Sequence, residues 1–165
     1  MDNPRDIIEI FLQPGECYFS DRNTRIRTVL GSCVAITFWH PGKLIGGMCH
    51  FMLPSRLKAR QSSELDGRYG DEALSLMLDE IRGQGTYPEQ YEIKVFGGGD
   101  MFPDMRKKSG IRIGERNIEQ ALALLDALDL PVAAHHLGGK GHRALIFDIW
   151  NGHVWLKHAP TLSNS

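Results

Sequence analysis

Two apolar runs, Val34-Ala35-Ile36-Thr37-Phe38-Trp39 and Leu44-Ile45-Gly46-Gly47-Met48-Cys49, flank the tetrapeptide His40-Pro41-Gly42-Lys43, and this arrangement constrains the chain most. β-branched and aromatic residues on either side of Pro-Gly breakers predict an antiparallel hairpin with a four-residue loop. If Trp39 faces Leu44, the ladder brings Cys33 opposite His50. Directly opposed residues have β-carbons about 4.5–5.5 Å apart, within reach of a thiol and an imidazole. Side chains alternate between faces, so Cys49 points away from the face of His50, and Cys17 lies far upstream. A bulge at Gly46-Gly47 shifts the register by one and undoes this pairing. Free cysteines are usually small buried hydrophobes, and only Cys33 has a histidine to set against that reading. Cys33 is therefore the candidate nucleophile and His50 its candidate base.

The rest of the chain bounds what such a pair can serve. With 165 residues, 42% hydrophobic and 24% charged, the sequence suits a single domain over 1–165 with a real core. A formal charge of −1 lacks the electrostatic footprint of a general nucleic-acid binder. Basic clusters at Arg56-Leu57-Lys58-Ala59-Arg60 and Arg106-Lys107-Lys108 read as solvated surface or as docking patches for an acidic protein. The first residues lack the basic and apolar regions of a secretory signal, and no apolar run reaches the roughly eighteen residues of a membrane span. A chain that is not membrane-inserted, with three cysteines and no disulfide framework, is expected in the cytoplasm with its thiols reduced.

Periodicity places the remaining elements. Residues 25–30 read as a strand entering the Gly31-Ser32 turn, and 55–70 as a surface loop able to gate a substrate. Asp71 caps a helix with Ala73, Leu74, Met77, Leu78 and Ile81 on its core face. Tyr91–Phe96 is a strand running into Gly97-Gly98-Gly99, and a second helix after Gly114 aligns Ile118, Ala121, Leu122, Leu125 and Leu128. A short strand at 132–136 precedes a hairpin formed by 144–150, Asn151-Gly152 and 153–157. Strands with two interposed helices predict an α/β class, a layered sandwich with a largely antiparallel or mixed sheet and two main helices.

Other chemistries fit less well. Gly138-Gly139-Lys140-Gly141-His142 lacks the Ser/Thr and spacing of a P-loop, and Gly97-Gly98-Gly99-Asp100 misses the dinucleotide fingerprint. Adjacent His135 and His136 point to opposite faces of a strand, and zinc spacings are missing, so neither a metal nor another cofactor is expected.

Four ordered motifs then resemble the chemoreceptor glutamine deamidase family CheD: Thr28–Ala35, Gly46–Pro54, Phe96–Phe102 and Ile113–Asn117. The resemblance spans about 12–157, including the 138–143 turn and the Asn-Gly hairpin. It implies an enzyme hydrolysing selected glutamine side chains on the cytoplasmic domains of methyl-accepting chemoreceptors to glutamate, and in some systems an association with a CheC-type phosphatase. It also implies a cysteine, histidine and threonine triad, which falls on Cys33, His50 and Thr28. Some members carry the threonine one position earlier, where this chain has Arg27. Thr28 then orients the imidazole, hydrogen-bonds the substrate amide, or serves simply as a β-branched strand residue. Backbone N–H groups near Ser32 and Cys33 are the natural oxyanion donors, with Gly31 allowing the tight turn. A charged imidazole partner is expected to pull the Cys33 thiol below its free pKa of about 8.5. The alternative to an enzyme is a non-catalytic adaptor for chemoreceptors or for the phosphatase.

Overall fold

A computed structural model describes residues 3–58, 64–101 and 112–160. In chain order the elements are β1 (Ile8–Phe11), β2 (Cys17–Ser20), β3 (Thr24–Leu30), β4 (Val34–His40), β5 (Ile45–Phe51), α1 (Gly70–Gly83), β6 (Glu92–Gly97), α2 (Ile113–Ala127), β7 (Ala134–Leu137), β8 (His142–Asp148) and β9 (Val154–Ala159), with a 3₁₀ turn at Pro88–Gln90. Among the described residues the expected layered α/β sandwich is present with two helices, and it contains two mixed sheets. One sheet runs β1-β3-β8-β9 and the other β2-β5-β4-β6-β7. Among the described strands, β1 with β3 and β6 with β7 pair in parallel and the other neighbours are antiparallel.

The near-continuous apolar character of β4 and β5 follows from this layering, because each is covered on both faces. Ala35 and Met48 face the first sheet, meeting Ile26, Leu30, Leu145 and Phe147. Val34, Ile36, Phe38, Cys49 and Phe51 face the helices, where Ala73, Met77, Ile81, Ala121 and Leu125 close the second core layer. Trp39 ties the two sheets together at one end, its indole Nε1 donating to the Ile149 carbonyl at 2.8 Å.

The β4–β5 hairpin forms where expected, but its register differs. Trp39 faces Gly46 rather than Leu44, and His50 faces Ala35 rather than Cys33. The loop is Pro41 to Leu44, with Leu44 at φ 54° and its N–H donating to the His40 carbonyl at 2.8 Å. Leucine in the left-handed region is unfavourable, so the residue rules favour leaving Leu44 in the strand, and the tertiary fold overrides them. The displacement is two residues on the β5 side. An even displacement preserves the face of every side chain.

α1 begins one residue ahead of the expected cap. Tyr69 occupies the N-cap, while Asp71 lies inside the first turn and accepts the Glu72 N–H. On α2 the buried face is Gly114, Asn117, Ala121 and Leu125, whereas Leu122 and Leu128 are exposed. Both leucines flank the true stripe, because the helix sits where Gly114 touches backbone: a Cβ there would come within 3 Å of the Gly98 and Gly99 carbonyls. In the 55–70 segment, Arg56 is not simply solvated, since it forms a two-pronged ion pair with Glu72 on α1. Residues 59–60 of that basic cluster, all of Arg106-Lys107-Lys108 and Phe102 lie outside the described residues. Among the described residues no helix is long and apolar enough to cross a membrane.

Candidate active site

Three segments converge between the sheets. β3 brings Thr28, β5 brings His50, and the turn joining β3 to β4 carries Gly31, Ser32 and Cys33. Cys33 packs against the intersheet core, as do Ala35 and Met48 on the strands it adjoins. It is partly exposed, whereas Thr28 and His50 are both 1% exposed. Extending the β4–β5 register one residue beyond Val34 makes Cys33 a diagonal neighbour of His50 on one face, a relation that places β-carbons somewhat under about 7–8 Å apart. Thiol and imidazole share a face without being hydrogen-bonded: His50 Nε2 is buried and has no partner among the described residues.

The other imidazole nitrogen is firmly held. Thr28 Oγ1 donates to the Leu12 carbonyl at 2.8 Å and lies 2.7 Å from His50 Nδ1. A hydroxyl has one hydrogen, and here the Leu12 carbonyl takes it, so Thr28 can only accept from Nδ1–H. The neutral imidazole therefore carries its proton on Nδ1 and leaves the Nε2 lone pair free. Burial reinforces this state by pushing the His50 pKa down to about 4. Burial also raises the Cys33 thiol, outweighing its own backbone N–H, which acts in the opposite sense. The expected imidazolium that lowers the thiol pKa is therefore not the resting state at neutral pH. Both partners rest uncharged, because neither ion is well solvated in the intersheet layer.

Cys49 is the wrong thiol for this chemistry on two counts. It faces the helices within the second core layer, and it lies directly opposite Cys17 across β2–β5. Hydrogen bonding to Cys17, followed by burial, raises its pKa well above the ordinary thiol range.

The Cys33 turn is held by its carbonyls. Gly99 N–H donates to the Gly31 carbonyl at 2.9 Å, and Gly98 N–H donates to the Cys33 carbonyl at 2.8 Å. Gly97 and Gly98 both adopt positive φ, 111° and 69°, which brings their segment against the turn. Asn117 Nδ2 donates to the intervening Ser32 carbonyl at 3.0 Å. Meanwhile the N–H groups of Ser32 and Cys33 donate to no backbone carbonyl among the described residues. An N–H group not spent on a backbone carbonyl is one requirement for receiving an oxyanion.

Asn117 had no assigned role in the sequence reading. The available signal was a polar residue on an otherwise small and apolar helix face. Arg143 was also missed: it is buried, its Nε donates to His136 Nδ1 at 2.8 Å, and its Nη2 donates to the Gly138 carbonyl, so it braces the 138–143 turn. His136 thereby has a partner of its own, and among the described residues no group of three His, Cys, Asp or Glu side chains could hold a metal ion.

A family model described as CheD chemotactic sensory transduction matches residues 52–158. The chain belongs to the CheD family. The CheD model match begins just after His50, but CheD relatives align over nearly the whole chain and so include the turn and the hairpin. A protein of Pseudomonas syringae pv. syringae named probable chemoreceptor glutamine deamidase CheD is 51% identical over 97% of this chain and 90% of its own length. One of Albidiferax ferrireducens, named probable chemoreceptor glutamine deamidase CheD 2, is 48% identical over 94% and 90%. A third, of Leptospira interrogans, is 39% identical over 93% and 95%.

Proposed function

We propose that this CheD-family chain hydrolyses glutamine side chains on chemoreceptor cytoplasmic domains by Cys33–His50 nucleophilic catalysis; its relatives are named probable chemoreceptor glutamine deamidases, which supports the reaction. The observation that carries the mechanism is the Leu12–Thr28–His50 relay, which leaves the Nε2 lone pair free on the face shared with Cys33. A primary amide is a poor electrophile with a poor leaving group, so the attacking group needs both a base and an oxyanion site. As the Cys33 sulfur bonds to the carboxamide carbon, Nε2 takes the thiol proton. The developing oxyanion is received by the N–H groups of Ser32 and Cys33, each such donor being worth about 2.7–4 kcal/mol of barrier. The imidazolium, with Nδ1–H still held by Thr28, passes its proton to the departing amine, and ammonia leaves. Water activated by the neutral imidazole then opens the thioester, yielding the glutamate carboxylate and the free thiol.

The neutral pair fits this sequence of transfers, because the base must accept the very proton that the nucleophile loses. Binding to a CheC-type phosphatase rests on the family resemblance alone, as does a cytoplasmic location. The rival reading is a receptor-binding adaptor without chemistry. Purified protein incubated with receptor cytoplasmic fragments should raise their mass by about 1 Da per converted glutamine as nitrogen is exchanged for oxygen. Cys33→Ala should abolish conversion, while Cys17→Ala and Cys49→Ala retain it. Binding without any mass change favours the adaptor, and equal loss in folded Cys49→Ala overturns the assignment of Cys33.

A further inference from the structure

The Asn117 side chain is completely buried and spends both amide hydrogens on carbonyls from different segments: Ser32 at 3.0 Å and Met52 at 2.9 Å. Ser32 immediately precedes Cys33, and Met52 follows His50 by two residues at the exit of β5. Both partners can only accept, so the amide nitrogen must face them. The Asn117 Oδ1 is then left buried without a partner among the described residues. An apolar side chain of similar size would take the donor from both carbonyls, so Asn117 makes two hydrogen bonds at the cost of one orphaned oxygen. Its distinctive contribution is the bridge. Gly98 and Gly99 hold the carbonyls on either side of Ser32, but neither reaches β5. Among the described residues, Asn117 is the side chain that joins the thiol's turn to the strand of the imidazole.

We propose that Asn117 is a positioning residue that sets the Cys33 thiol against His50 Nε2, an inference that rests on reading those two as nucleophile and base. The thiol and the imidazole are diagonal neighbours rather than direct partners, so their approach depends on how the turn lies over the end of β5. The same helix contains a natural control. Gln120, one turn further along, donates its Nε2 to the Pro54 carbonyl at 3.0 Å, attaching α2 to the chain beyond β5, with no hydrogen bond to the turn among the described residues.

The test compares Asn117→Asp with Gln120→Ala in the full chain. Aspartate keeps the shape but at neutral pH offers two acceptors to two carbonyls, so the bridge is lost. Conversion of receptor fragments should fall in kcat by roughly a hundredfold, the scale of a misplaced reacting group, with KM nearly unchanged. Labelling of Cys33 by iodoacetamide should slow to the rate of His50→Asn, and the double variant should be no slower than either single one. Gln120→Ala should match the wild type in kcat and in Cys33 labelling. If Asn117→Asp does not fold, Asn117→Ser supplies the same readouts, with one hydroxyl donor preserving part of the rate. A folded Asn117 variant with wild-type kcat and labelling, a Gln120→Ala variant equally impaired, or additive slowing in the double variant overturns the proposal. Failure of the underlying reading looks different: the wild type converts no glutamine and His50→Asn leaves Cys33 labelling unchanged.

Discussion

At the scale of the residue, a single hydroxyl decides what His50 can do. Thr28 spends its proton on Leu12 and thereby fixes the imidazole tautomer. Thr28→Val removes the acceptor, frees the ring to place its proton on Nε2, and should lower kcat roughly a hundredfold or more, as other wrong-tautomer substitutions do. Thr28→Ser should restore most of the rate, and steady-state kinetics on receptor fragments check both. Equal losses in the two variants would assign Thr28 to packing instead. Its exposure of 1% and its contacts with two other segments are invisible in a β-strand motif, which is why the residue itself offered three roles at once. The neutral pair also sets a pH signature. Because His50 titrates at about 4 and Cys33 lies above its ordinary value, the acid limb of kcat/KM should fall near pH 4 rather than 6.5. Pre-steady-state conversion at pH 5 close to that at pH 7 is the expected observation, and a drop centred near 6.5 would show that burial does not lower the His50 pKa in this way.

At the scale of the element, the hairpin was legible in its strands and its breaker residues but not in its register. The loop consumes Leu44 in a conformation that residue preferences discourage, so the expected pairing misplaced β5 by two residues. Direct opposition of Cys33 and His50 was therefore wrong, while the separation of Cys33 from Cys49 by face survived, since parity is insensitive to an even displacement. The helices were legible from their apolar spacing. β1 and β2 were not, because four-residue strands with partly exposed side chains carry little periodic signal. The paired glycines of β5, which raised the prospect of a bulge, have another explanation. A Cβ on Gly47 would lie 2.3 Å from the Tyr18 carbonyl and 2.8 Å from Met77, so the strand must be bare where β2 and α1 crowd it. Gly47→Ala should destabilise the protein by about 1–3 kcal/mol through overpacking, measurable by urea denaturation. An unchanged midpoint would mean that β2 can yield without cost.

At the scale of the whole molecule, the site belongs to neither sheet alone. Thr28 lies in the β1-β3-β8-β9 sheet and His50 in the other, so their 2.7 Å contact exists only when the sheets are stacked. No pattern within one element could show that meeting; the family resemblance supplied Thr28, and packing supplies the reason. Stacking also has an energetic mark. His50 is held neutral in the folded state with a pKa of about 4, against about 6.5 when unfolded, so the unfolded chain binds the extra proton between those values. The stabilising contribution is complete above pH 6.5 and is lost as pH falls toward 4, on the order of 3 kcal/mol in total. Urea midpoints at pH 7 and 4.5 should diverge more for the wild type than for His50→Asn, and equal acid losses would remove His50 from the account. The division between sheets also orders events during synthesis. Cys33 and His50 emerge early, but β3 is flanked by β8, a strand made from residues 142–148. A chain emerging from the ribosome thus carries Thr28, Cys33 and His50 long before residues 142–148 can complete the sheet that holds Thr28 against the imidazole.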